Sequence, residues 1–316
     1  VLTPFPDGAS LDRLGLARWL TSSDHPLLAR VTVNRYWQMI FGRGLVSTSE
    51  DFGMQGKPPS HPELLDWLAR DLIKSGWNLH HLLKKMVLSH TYRQESKILP
   101  NAQEIDPENL LLSRAPAYRL PAEMIRDSLL AHSGLLHKKI GGPGAKPYDL
   151  KVSFKPINPD GAPNVYRRSV YTFWKRTGPT PVMMALDASK RDVCTVRRER
   201  TDSASQALIM LNGTQFVETA RATADILIQN HGTTNPNDLI QEAFKKLTSR
   251  SPSERESKIL QNLLEEQKKY FTDDKETEKF LKVGYYQAKA KDKKYLAAVT
   301  SLVSTLMNFD GTLSKR

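Results

Sequence analysis

The chain has a single cysteine, Cys194, in 316 residues. One thiol excludes an internal disulfide, a thiolate zinc ribbon and the paired-cysteine attachment of a c-type haem. Its neighbours Val193, Thr195 and Val196 predict a buried, inert thiol, while the arginines that follow leave a reactive thiolate open. No run approaches eighteen uninterrupted apolar residues, so no segment reads as a membrane span. The opening VLTPFPDGAS has neither a basic start nor an apolar stretch and does not read as a signal peptide. With Val1 in first place, the expectation is a piece of a longer or processed protein whose targeting information lies upstream.

The usual catalytic signatures are missing too. The eight histidines are scattered, and the one adjacent pair, His80–His81, points to opposite sides of a helix rather than to one metal. Gly42-Arg43-Gly44 and Gly141-Gly142-Pro143-Gly144 lack the lysine-serine ending of a phosphate loop and the third glycine of a dinucleotide fingerprint. No G-x-S-x-G nucleophile elbow occurs. His61, beside Pro62 and Glu63, reads as part of a helix start rather than a ligand.

What is present is helical punctuation. Ser10 is placed to cap a first helix, and Asp24-His25-Pro26 starts a second that stops at Gly42. A glycine- and proline-rich loop follows, then a capping box at Ser60-His61-Pro62-Glu63 and further starts at Asn78, Asp106-Pro107 and Pro121. Ser96 to Asn101 reads as a polar linker. Gly141 to Pro163 is the least helical stretch, and the alternating residues of Tyr166 to Trp174 predict a short strand or extended segment. Helices resume around Gly213 and again at Asp238 and Ser253. Asp273 to Lys294 reads as solvated helix surface or mobile linker, and Lys294 to Phe309 as an apolar helix. The expected fold class is mainly α: a multi-helix globular domain with a small extended or β segment near residues 141–174. Residues 1–232 form its core, and 233–316 form a C-terminal helical part packed on it.

The formal net charge of +12 suits nucleic acid, an acidic glycan or an acidic protein. No recognition motif accompanies the charge, which makes nucleic acid the weakest of the three. The basic residues concentrate between Tyr166 and Asn212: Arg167, Arg168, Lys175, Arg176, Lys190, Arg191, Arg197, Arg198 and Arg200 stand against Asp187, Asp192 and Glu199. Guanidinium grips oxyanions with two parallel hydrogen bonds. The cluster is therefore either an anion site or an internal arginine–carboxylate framework. Candidate ligand-binding residues are Arg167, Arg168, Trp174, Lys175, Arg176, Asp187, Arg191, Arg197, Arg198 and Arg200. Glu123 and Asp127, four apart on one helix face beside Arg126, are candidate acid–base carboxylates; pairing with arginines such as Arg167 or Arg198 is the structural alternative.

Seven ordered blocks between residues 10 and 230 resemble the PSD domain family, among them LARWLTSSDHPLLARVTVNRYWQMIFGRGLV, EDFGMQGKPPSHPELLDWLA, DPENLLLSRAPAYRLPAEMIRDSLL, YRRSVYTFWKRTGPTP and VCTVRRERTDSASQALIMLN. This Planctomycete-type domain of unknown function occurs with cytochrome-c-like domains. The resemblance implies a module of an exported, periplasmic or cell-surface multidomain protein. Its haem c would sit in an upstream domain, with no cofactor in this chain. The absence of catalytic motifs favours a binding or scaffold role, with the cytochrome-c-like domain of the same parent or an acidic polysaccharide as partner. The alternative is a carbohydrate-active enzyme coupled to that cytochrome. The family offers no established catalytic residues to carry over.

Overall fold

The computed structural model describes residues 2–153, 155–232 and 235–315. Two compact units divide the chain, one running up to Tyr118 and the other from Arg119 to Lys315.

The first unit holds α1 (Arg13–Leu20), α2 (Leu28–Phe41), α3 (Pro62–Lys74), α4 (Leu79–Leu88), and the short α5 (His90–Arg93) and α6 (Pro100–Ile105). Its core is built from Val33, Trp37 and Phe41 of α2, Leu65, Leu68 and Leu72 of α3, and Leu82 and Met86 of α4. These follow the three-to-four residue spacing of one buried helix face. Gly42 ends α2 in the left-handed region, where a Cβ would stand 2.6 Å from the Tyr118 ring. Buried Asn34 then pins the returning loop, donating to the Val46 carbonyl (3.0 Å) and accepting from its amide (2.8 Å).

Several starts fall as the sequence predicts, and three do not. Asn78 caps α4 by accepting from the His81 amide. No capping box forms at Ser60: α3 begins at Pro62, leaving His61 at the cap without a side-chain bond. Proline at the first helical position moves the boundary one residue on. Asp106 does not start a helix either. Its carboxylate accepts from the amides of Leu110 and Leu111, closing a turn, and the nearby helix is α6, which begins at the end of the stretch read as linker and stops at Ile105. Asp12, not Ser10, caps α1.

The second unit contains β1 (Tyr118–Arg119, where the units meet in sequence), α7 (Ala122–His132), α8 (Pro181–Ala185), α9 (Ala204–Asn212), α10 (Thr214–His231), α11 (Pro236–Thr248), α12 (Glu254–Tyr270), α13 (Asp274–Leu281), α14 (Lys293–Met307), α15 (Asp310–Leu313) and β2 (Ser314–Lys315). The two short strands make a two-stranded sheet, so the protein is mainly α. Helices α10 and α14 form the centre and pack on each other, with Ala220 and Ala224 of one and Ala297 and Ala298 of the other fully buried. Small side chains let the two backbones approach closely. The compositional boundary at residue 232 lies between α10 and α11, which pack on each other and on α14. Ser253 caps α12 with a complete capping box to Glu256.

Tyr166 to Trp174 is not a strand. It makes two single 3-10 turns, Asn164–Tyr166 and Ser169–Tyr171, and among the described residues its backbone pairs with residues 137–145 as isolated parallel bridges rather than as a ladder. Side chains from α7 take its Arg167 carbonyl and its Ser169 amide.

Candidate functional site

Helix α7 builds the inner wall of the arginine-rich region. Arg126 is buried and donates to Gln215 Oε1 (2.9 Å), the Arg167 carbonyl (2.8 Å), Ser169 Oγ (3.2 Å) and the Val165 carbonyl (2.6 Å). Burial pulls its pKa below the ordinary value, opposed by the charges of Asp127 and Asp149. One residue on, Asp127 accepts from the Ser169 amide (2.8 Å) and hydroxyl (2.7 Å). One turn earlier, Glu123 is joined to Arg198 at 2.7 Å. Both candidate carboxylates are thus held by internal donors. Because they lie four apart on one helix face, Ser169 and Arg198 are brought to the same side of α7.

Arg167 belongs to the framework. It is 4% exposed, and its guanidinium donates to the carbonyls of Pro143 (2.7 Å), Gly141 (2.5 Å) and Lys139 (3.2 Å) while lying 4.1 Å from the centre of the Tyr171 ring. The GGPG stretch is therefore a loop wrapped around a guanidinium. Asp187 has a similar part. It accepts from the amide and hydroxyl of Thr201 (both 2.7 Å) and from Gln206 (3.2 Å). Burial pushes its pKa up, and those donors together hold it below the ordinary value.

Other residues face outward. Arg168, Arg176, Arg191, Arg197, Arg198 and Arg200 are exposed, with Trp174 and Lys175 half-buried. Trp174 donates from Nε1 to the Lys190 carbonyl (2.6 Å), and Arg191 lies 4.8 Å from its ring centre while reaching the Thr172 carbonyl at 3.5 Å. This fastens the 187–191 turn to the 172–174 segment. Asp187 and Arg191 hold that turn at φ of 63° and 60°, a conformation unusual for residues with a side chain. Among the described residues, Arg168, Lys175, Arg176 and Arg197 make no side-chain hydrogen bond or ion pair.

The structure adds cations that the sequence reading missed. The His137 amide donates to the Tyr166 carbonyl (2.9 Å) and the Ala145 amide to the Tyr171 carbonyl (2.7 Å), laying the 137–145 loop beside 166–172. Exposed Lys138 and Lys139 thereby join the outward face. The charge distribution agrees: residues 1–118 carry 13 basic and 12 acidic residues, whereas 119–212 carry 16 and 8. Most of the excess positive charge is in this region.

Cys194 is exposed, not buried. The whole 190–200 segment stands in solvent, so the apolar neighbours that suggested burial cover nothing. A further correction concerns the lysine-rich stretch after α13. Residues 283–290 are clasped by two fully buried carboxylates of α10. Glu218 accepts from Tyr148 (2.8 Å), Tyr166 (2.7 Å) and the amides of Tyr285 and Tyr286. Asp225 accepts from the Tyr286 hydroxyl (2.6 Å) and the amides of Lys289 (2.9 Å) and Ala290 (2.8 Å). The acids within TQFVETARATAD were the available signal, since a charge inside an otherwise apolar and small-residue helix needs internal partners.

In the first unit, a cleft of about 370 Å³ is lined by Trp37, Phe41, Ile98, Leu110 and Pro116, with Arg43 and Glu108 paired to each other.

A family model described as PSD1, protein of unknown function (DUF1553), matches residues 12–264. No curated protein matches the sequence, and no solved structure matches it.

Proposed function

This chain belongs to the PSD1 family of proteins of unknown function, and we propose that its second unit is a binding module that holds an acidic polysaccharide on its cationic face. One observation carries the reading. The segment splits into cations consumed by the fold, such as Arg167 and Arg198, and cations with no internal partner among the described residues: Arg168, Lys175, Arg176 and Arg197. Cations that serve only the fold would be expected to show internal acceptors, as Arg167 does. Those left outward on hydrogen-bonded loops are pre-positioned for an anion, which lowers the ordering cost of binding. Trp174 under Arg191 adds an aromatic surface of the kind that sugar rings pack against.

In this reading the module works outside the cytoplasm as part of a longer protein, with haem c held by a cytochrome-c-like domain of the same parent. The direct test is affinity electrophoresis in gels carrying a uronic-acid or sulfated polymer. Retention is expected at low salt and should fade as salt is added. A chain that migrates freely at low salt would sink the proposal.

A second reading, a carbohydrate-active enzyme, draws on the left-handed backbone at Asp187 and Arg191, since such conformations cluster at functional sites. Against it, Asp187, Glu123 and Asp127 are all engaged by internal donors. Turnover of an acidic polysaccharide by the isolated chain would reverse that ranking.

A further inference from the structure

Within the cationic face, the stems of two lysines from separate segments meet at one glycine. A Cβ placed on Gly178 would stand 3.9 Å from Cβ of Lys155 and 4.0 Å from Cδ of Lys175. Two lysine stems from segments twenty residues apart therefore flank one glycine, and Arg176 lies in the same turn. The backbone around them is fixed. The Gly178 amide donates to the Lys175 carbonyl (3.2 Å), and buried Ser153 donates to the Lys155 carbonyl (3.0 Å). Neighbouring Trp174 is tied to Lys190. Among the described residues no carboxylate pairs with Lys155, Lys175 or Arg176. The acids nearest Lys155 along the chain, Asp149 and Asp160, accept instead from the amides of Val182 and Lys146, and the one nearest Lys175 and Arg176, Asp187, accepts from Thr201 and Gln206.

Like charges held together without a counter-charge repel, and an anion between them removes that repulsion while gaining charge-assisted hydrogen bonds. We propose that Lys155, Lys175 and Arg176 form a subsite for a tetrahedral oxyanion, a sulfate or phosphate ester group on the bound ligand. Three cations from two segments suit a group with three free oxygens better than a planar carboxylate with two. The inference rests on the polyanion reading above and names the charged group that this part of the face takes.

The test is calorimetric titration of the full chain with inorganic sulfate, inorganic phosphate and acetate at constant ionic strength. Saturable binding of sulfate or phosphate is expected, and the ion preferred identifies the ester. The double variant Lys155→Met/Lys175→Met keeps the aliphatic stems and removes both ammonium groups, so the fold should persist; unchanged circular dichroism checks this. Its affinity should fall by about tenfold or more, one charge-assisted hydrogen bond being worth roughly that factor. Lys175→Arg, which keeps the charge, should bind within a few-fold of wild type and serves if the double variant does not fold; Arg176→Met then supplies the loss. Equal responses in wild type and the Met variants, or acetate binding as well as sulfate, would overturn the subsite. Retention on a uronic-acid polymer free of sulfate and phosphate tests the broader reading separately. The Met variants should still be retained there, because Arg168 and Arg197 are intact.

Discussion

The carboxylate of Glu218 occupies the space that a Cβ on Gly284 would need. Gly284 also sits at φ 71°, a conformation open to glycine and strained for other residues. The two facts have one consequence: the chain passes close enough to α10 for the amides of Tyr285 and Tyr286 to reach the buried acid. Gly284→Ala should cost about 3 kcal/mol, combining the left-handed penalty with hydrogen bonds lost to Glu218. Denaturant unfolding measures the loss, and hydrogen exchange should show it first in residues 283–290.

Acid should loosen the same segment. Burial raises the pKa of Asp225, but the Tyr286 hydroxyl and the Lys289 and Ala290 amides bring it below the ordinary 3.8. A carboxyl whose folded pKa is depressed contributes stability that is fully present above its unfolded value and is lost as pH falls through the folded one. The urea midpoint should therefore decline below about pH 4. Asp225→Asn should be less stable at neutral pH and show a shallower decline. An unchanged acid slope in that variant would remove Asp225 from the account.

Framework and face should separate by mutation. Arg167→Ala leaves three carbonyls without their donor and strips the Tyr171 ring of its partner, so a loss of about 3 kcal/mol or more is expected. Arg168→Ala with Arg197→Ala should change stability by less than about 1 kcal/mol, as unpartnered surface positions do, and should weaken retention on an acidic polymer. Melting curves alongside affinity electrophoresis distinguish the two outcomes.

Cys194 should react with a thiol reagent in the folded protein, one equivalent per chain, without denaturant. If labelling required unfolding, the 190–200 segment would have to be covered in solution.

Much of the helical order was legible because helix ends are local chemistry. Gly42, Asn78, Pro121, Gly213 and Ser253 mark boundaries through their own backbone preferences or side-chain reach. Asp106 misled because a carboxylate before an exposed turn and one before a helix satisfy the same kind of amides. Tyr166 to Trp174 misled because its alternating residues face an arginine and an aspartate of α7 rather than a neighbouring strand. The candidate site was legible as a concentration of charge, with Lys138 and Lys139 hidden by thirty residues of intervening chain.

By itself, then, the sequence determined the family, the mainly helical class and the region where positive charge accumulates, since these depend on local pattern and on composition. Only the tertiary structure decided which charges are spent. Adjacent Arg167 and Arg168 are chemically equal, yet the first is enclosed by carbonyls more than twenty residues away and the second stands in solvent. A side chain's partners are set by where the rest of the chain comes to lie, and burial makes a partner for a guanidinium or a carboxylate obligatory.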